Sequence, residues 1–250
     1  MDHAQMAARN RTAWNTAPYQ AWTARYGPPD VAASRILADP RRIARRVLSH
    51  LPDPAETRIA NPLGSHGSVA VALAVLGAQV TVFDIASGNA RYARELATAA
   101  GVGIDYVVGD FLECAPAHSE RYSAACMELG ITHYFHSLDA FALTLHGILS
   151  PGSTLVLAEF HPLVKKALAI GGGEARLSGD YFTHEVEAAA TPYDAFTGAN
   201  VPECTVRRWT LGEIVTAFAQ ADFRIAKLAE HPHPECTALP GEFTLVATRA

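Results

Sequence analysis

The sequence predicts an α/β protein: a seven-stranded, mostly parallel sheet with helices on both faces, an N-terminal helical cap, and an insertion after the fifth strand. Three observations carry this. From Thr57 onward, short apolar runs alternate with helical stretches, the pattern of consecutive βα units. Those stretches stop at Gly77, at Gly101 and at Ser150-Pro151-Gly152, all residues that end helices. After a further helix, two strand-like pieces finish the chain.

The elements follow in order. Residues 1–50 read as two helices separated at Gly27-Pro28-Pro29, with Trp14, Tyr19, Trp22 and Tyr26 at near-helical spacing. Strands are expected at about 57–61, 79–84, 104–108, 122–127 and 153–159, with helices at 67–76, 87–100 and 137–149 between them. A stretch at 161–208, with Gly171-Gly172-Gly173 and several aromatics, is too long for a plain connection and reads as a lid or substrate element. At Thr210, with Glu213 three residues on, a capping box opens the last helix. The strands at 223–228 and 242–248 complete a sheet within one domain: cap 1–50, core 57–160, insertion 161–208, and final helix and strands 209–250.

Composition narrows the function. A chain of 250 residues with 49% hydrophobic content can bury a full core, and its formal net charge of −5 argues against a nucleic-acid partner. The basic run Arg41 to Arg46 has Ile43 and Val47 at helical spacing, so it reads as the solvated face of a helix. Four cysteines form no CxxC pair or zinc pattern, no metal is expected, and no stretch suits a membrane span or secretory signal. The expectation is a cytoplasmic protein without a membrane partner; a homodimer is compatible with it.

In a parallel sheet, ligands bind at the carboxyl edge where strand order reverses. There the first turn is Asn61-Pro62-Leu63-Gly64-Ser65-His66-Gly67, leading to a helix N-terminus that suits an anionic group. Asp84, followed by Ile85, ends the second strand and is placed to accept from ribose hydroxyls. Asp110 and Phe111 follow the third strand, where a carboxylate can meet an adenine amino group and a ring can lie against the base. An intact GxGxxG is absent, which disfavours a nicotinamide dinucleotide.

On these residues, and on the C-terminal WTLGEIVTAFAQADFRIAKLAEHP and PGEFTLVAT segments, the chain resembles the Rossmann-like class I methyltransferases that use S-adenosyl-L-methionine (SAM). The resemblance implies SAM as cofactor, contacted by Tyr19, Asn61, Leu63, Gly64, Ser65, Gly67, Asp84, Ile85, Asp110, Phe111, Glu128 and Leu129. Where the family shows an acidic residue and three alternating glycines, this chain has Asn61, Leu63, Ser65 and Gly67. It implies methyl transfer to an O or N atom of a small organic acceptor; a protein or peptide methyltransferase and a non-catalytic SAM-binding regulator are the alternatives.

Transfer to a hydroxyl or ammonium needs a proton acceptor near the methyl group. His133, just after the fourth strand, is the first candidate base, His161 the second and His184 the third. Tyr134, Tyr181 and His184 are the expected acceptor contacts, and Trp22 is expected to pack rather than line the site.

Overall fold

The computed structural model describes residues 1–198 and 200–250. The chain opens with α1 (His3–Trp14), α2 (Pro18–Tyr26), α3 (Pro29–Ala38), α4 (Pro40–Ile43) and α5 (Arg45–Leu48). The two expected helices are thus five segments. Proline explains the division, because Pro18, Pro29 and Pro40 each occupy a first helical turn, where the missing N–H costs nothing and the preceding residue is kept out of the helix.

The core then runs β1 (Arg58–Pro62), α6 (Ser68–Val75), β2 (Gln79–Asp84), α7 (Ser87–Ala99), β3 (Asp105–Val108), α8 (Phe111–Cys114), β4 (Tyr122–Glu128), α9 (Leu138–Ile148) and β5 (Leu149–Phe160). β5 starts earlier than expected. Pro151-Gly152 does not merely end α9 but sits inside β5 as an irregularity, where the register against β4 jumps from Tyr122↔Leu149 to Ala124↔Thr154. Such a bulge tolerates a proline that a regular ladder would not.

The insertion is more ordered than its composition suggests. It holds α10 (Pro162–Lys166), β6 (Leu168–Gly171) paired with β7 (Glu174–Leu177), and β8 (Val186–Ala189) paired with β9 (Cys204–Arg207), with α11 (Tyr193–Thr197) between the last two strands. The chain ends with α12 (Leu211–Gln220), β10 (Phe223–Pro232) and β11 (Pro240–Arg249). Thr210 and Glu213 form the expected capping box on α12.

Seven strands form one sheet in the order β10-β11-β5-β4-β1-β2-β3, with β11 antiparallel to both neighbours. Alternation along the strands splits the core into two layers. Ile59, Val80 and Val82 face α3, α6 and α7, while Phe83, Leu155 and Leu157 face α9 and α12. Strand order reverses between β1 and β4, so their carboxyl ends open a crevice. No helix among the described residues is long and apolar enough to cross a membrane.

Candidate active site

A cavity of about 710 Å³ lies over the carboxyl ends of β1 to β4, roofed by α1 and α2 and walled on one side by the β8–β9 hairpin. Its cofactor end starts at the β1–α6 turn. Leu63 and Ser65 stand at φ +53° and +51°, the left-handed region that glycine would occupy without strain. The turn therefore keeps a glycine conformation at two positions that lack glycine. Gly64 is needed for space instead, since a Cβ there would lie 2.1 Å from Asn61 Oδ1. Gly67 is needed for both reasons: φ is +78° and a Cβ would meet the Ala93 Cβ at 2.7 Å. It caps α6 beneath the turn and does not line the cavity.

Asp84 is buried and already well used. Its Oδ2 accepts from Ser65 N (3.0 Å), and its Oδ1 accepts from Ala86 N (2.9 Å) and Asn89 Nδ2 (3.1 Å). Burial pushes its carboxyl up while these three bonds hold it down. A carboxylate has about four acceptor sites, so Asp84 keeps one, on Oδ2, for a further hydroxyl rather than a matched pair. Asn89 is in turn gripped by Trp22 Nε1 (2.7 Å) and Tyr193 Oη (3.1 Å), tying the cap and the insertion to Asp84. Trp22 thus lines the cavity. His66 also lines it, with its ring 4.3 Å from Trp22 and 4.8 Å from Tyr26 and its Nδ1 buried without a partner. Burial depresses its pKa to about 4.

At the end of β3, Asp110 accepts from Leu112 N through Oδ1 and lies 2.9 Å from His3 Nε2 through Oδ2. Burial opposes the Asp110 charge, but the His3 contact holds its carboxyl below the ordinary value. The same contact raises His3. The His3 ring lies parallel to Phe135, 6.1 Å away, and both rings line the cavity with Ile85 and Phe111.

Between β1 and β4 lie the unsatisfied acceptors. Asn61 donates through Nδ2 to the Cys126 carbonyl at 2.8 Å, leaving its buried Oδ1 without a partner. Glu128, at the end of β4, has a buried Oε1 without a partner, and burial pushes its carboxyl up to about 7. Arg46 faces the same space while donating to both oxygens of Glu242 at 2.9 and 3.1 Å. Two free acceptors and a cation at one place suit the ammonium and carboxylate of an amino acid. The residues present therefore fit the methionine end of SAM. The basic run is not all solvated face, since Arg46 is half-buried in this wall.

The other end is organised by Glu159, which is 2% exposed at the end of β5. Its carboxylate accepts from the N–H groups of Gly130 (2.7 Å), Ile131 (2.7 Å), Thr132 (3.1 Å) and Phe160 (2.7 Å). This pins the loop after β4 that carries Leu129, His133 and Tyr134, all of which line the cavity. Burial lowers the His133 pKa to about 4, with the Glu159 charge opposing it and the charges of Arg208 and Lys165 acting the same way as burial. Tyr134 packs edge-on against Trp14 at 5.7 Å.

Of the residues expected from the sequence, Asn61, Leu63, Gly64, Ser65, Asp84, Ile85, Asp110, Phe111, Glu128, Leu129, His133 and Tyr134 meet at this cavity. Tyr19, Gly67, His161, Tyr181 and His184 are not among its lining. Tyr19 donates to Glu95 at 2.5 Å under Arg91, on the outside of α7. His161 caps α10 and sits 2.8 Å from Glu230. Tyr181 Oη accepts from Leu211 N, and His184 is exposed beside Glu213. Conversely, His3, Arg46, His66, Asn89, Lys165 and Arg208 line the cavity without having been expected. Their one sequence signal was local: His66 lies inside the first turn and Asn89 in the first turn of the helix after Asp84.

Comparison with known proteins bears on this geometry. The family model described as "Methyltransferase domain" matches residues 63–157, the part of the chain that supplies most of the cavity floor. No curated protein sequence matches the chain. Among solved structures, a protein of Listeria monocytogenes assigned to the SAM-dependent methyltransferases superposes with a TM-score of 0.66 at 16% identity, covering 86% of this chain and 99% of that one. A SAM-dependent methyltransferase of Mesorhizobium loti gives 0.64 at 21% identity, covering 86% and 100%. Magnesium protoporphyrin IX methyltransferase of Synechocystis PCC 6803, with bound SAH, the demethylated product of SAM, gives 0.60 at 14%, covering 98% and 99%. Residues 63–157 thus match a methyltransferase domain, and most of the chain shares its seven-stranded fold with solved SAM-dependent methyltransferases.

Proposed function

We propose that the protein transfers the methyl group of SAM to an O or N atom of a small organic acceptor, within a single domain whose cap and insertion close over the cofactor. The observation that carries this reading is the continuity of one cavity, from the unsatisfied acceptors Asn61 and Glu128 to His133 and Tyr134. Its roof of α1 and α2 covers the cavity in part and leaves a deep cleft of small-molecule size, which suits a small molecule better than a protein segment.

SAM supplies an electrophilic methyl on its sulfonium. The chain's own residues do the rest. Asn61 Oδ1 and Glu128 hold the ammonium and Arg46 the carboxylate, Asp84 Oδ2 takes a ribose hydroxyl, and Asp110 with Phe111 meets the adenine. His133, neutral through burial and facing the cavity, accepts the acceptor's proton as the new bond forms. Glu159 acts as a positioning residue by holding the His133 loop.

The test is incubation of the enzyme and methyl-labelled SAM with cell extract separated into low-mass and protein fractions. Label in the low-mass fraction, lost in the His133→Ala variant, is the expected result; label confined to the protein fraction would overturn the small-molecule reading. Glu128 has its own check. Because its carboxyl must lose a proton near pH 7 to pair with the ammonium, SAH should bind more tightly as pH rises from 5.5 to 7.5. In Glu128→Gln the affinity should drop about tenfold or more at pH 7.5 and lose that slope. Calorimetry giving an unchanged affinity would remove Glu128 from the site.

A further inference from the structure

The acceptor end of the cavity carries positive charge that the reaction itself does not explain. Lys165, on α10, and Arg208, just after β9, both line it. The Lys165 ammonium rests 4.0 Å over the ring of Phe160, and no carboxylate lies within ion-pair distance of it among the described residues. Desolvation and the neighbouring Arg208 charge push its pKa down, against the pull of the Glu159 carboxylate. The Arg208 guanidinium is fixed beside it, donating to the Lys165 carbonyl and pairing at 2.8 Å with Glu187 on the outer side.

The buried carboxylate nearest in charge, Glu159, cannot serve as counter-ion by hydrogen bonding, because its two oxygens are taken up by four backbone N–H groups. Arg208 already has Glu187, so Lys165 is left without a carboxylate at ion-pair distance among the described residues, although the Glu159 charge acts on it from further away. Lys165 is exposed as a residue, yet its ammonium lines the cavity beside the Phe160 ring, where an anionic ligand can take it as a partner.

We propose that the acceptor is an apolar or aromatic carboxylic acid whose carboxylate is bound by Lys165 and Arg208, with its body against Phe160, Tyr134 and Trp14. This rests on the small-molecule methyltransferase reading and names its substrate class. A flat carboxylate can take donors from both groups. It would also offset the Arg208 and Lys165 charges that add to burial in lowering the His133 pKa, so the acceptor itself makes His133 a better base.

The test uses indole-3-acetate and its neutral isostere indole-3-acetamide as probes, titrated by calorimetry into the full-length protein with and without saturating SAH. The acid should bind at least about tenfold more tightly than the amide. In Lys165→Met, which keeps the aliphatic stem over Phe160, that preference should fall to within about twofold, while Lys165→Arg should retain it and report that the fold is intact. SAH affinity should stay within about twofold in both variants, since neither touches the cofactor end. Equal binding of acid and amide, no binding of the acid, or a preference that survives in Lys165→Met would each overturn the proposal. Failure of SAH to bind wild type would instead strike the methyltransferase reading, and the titrations without SAH would still decide whether the acceptor wall selects an anion.

Discussion

The two ends of the cavity are built by different means. At the cofactor end, each side chain sits at or just beyond a strand terminus, and the βα unit that carries it also places it: Asn61 with β1, Asp84 with β2, Asp110 with β3. At the acceptor end, residues meet only because a buried carboxylate from β5 gathers the loop after β4, while Lys165 and Arg208 arrive from either side of a forty-residue excursion of the chain. Local geometry sets the first end and tertiary contacts set the second. The acceptor end should accordingly be the more fragile to a single change.

Glu159→Gln tests that most severely. A glutamine offers one acceptor oxygen in place of two, so an NH2 group would face two of the four backbone N–H donors, all in a buried site. Leaving two such donors unsatisfied should cost about 3–5 kcal/mol of stability. Urea denaturation should register that loss, and turnover should fall with little change in SAH affinity at low denaturant. A loss below about 1 kcal/mol would mean that the loop is held by other contacts and that the contrast between the two ends is false.

The same contrast explains what could be read in the sequence. Strand and helix order, the reversal of strand order and most of the residues that line the β1–β4 end of the cavity were legible because periodicity and turn residues are local signals. Tyr19 and Trp22 exchanged their expected places because helical spacing assigns residues to a face but does not say what the face covers; Trp22 found Asn89, and Tyr19 found Glu95. His161 and His184 looked catalytic by residue type, yet the first became a helix cap and the second a surface partner of Glu213. Lys165 and Arg208 gave no signal, since nothing in their neighbours along the chain marks a cation whose counter-charge is missing. Pro18, Pro29 and Pro40 split the N-terminal helices because each starts a new one, an effect that the helical spacing of the aromatics masks.

A second way to sharpen the comparison is pH. His66 packs against both Trp22 and Tyr26 with an unpartnered nitrogen, and burial holds its pKa near 4 against an ordinary 6.5. The unfolded chain therefore binds a proton between pH 6.5 and 4 that the folded chain does not. Stability that is full above pH 6.5 is lost as pH falls toward 4, by about 2–3 kcal/mol from this group. Replacing His66 with Phe, which keeps an aromatic ring against Trp22 and Tyr26, should flatten the fall in melting temperature over that window. Equal slopes for the two proteins would show that His66 is solvated in the folded state and that the cofactor end is looser than its packing implies.

The smallest effect concerns the first turn, where the glycine pattern is incomplete. Leu63 and Ser65 hold left-handed backbone at a cost that glycine would not incur, whereas Gly67 combines left-handed φ with a neighbour 2.7 Å from any added Cβ. Space, not backbone conformation alone, thus decided which glycine was kept. Ser65→Gly should relieve about 1–2 kcal/mol of strain and return part of it as unfolded-chain entropy, for a net gain of about 0.5–1 kcal/mol. Leu63→Gly should gain less or lose, because Leu63 also packs against the apolar layer above Phe83. Gly67→Ala should destabilise by more than either change gains, since the methyl group has nowhere to go. Chemical denaturation of the three variants orders them directly. If Ser65→Gly proved destabilising, the left-handed turn would be held so firmly by the Asp84 bond to Ser65 N that its strain is already compensated, and the cofactor end would owe its shape to that one carboxylate rather than to the turn itself.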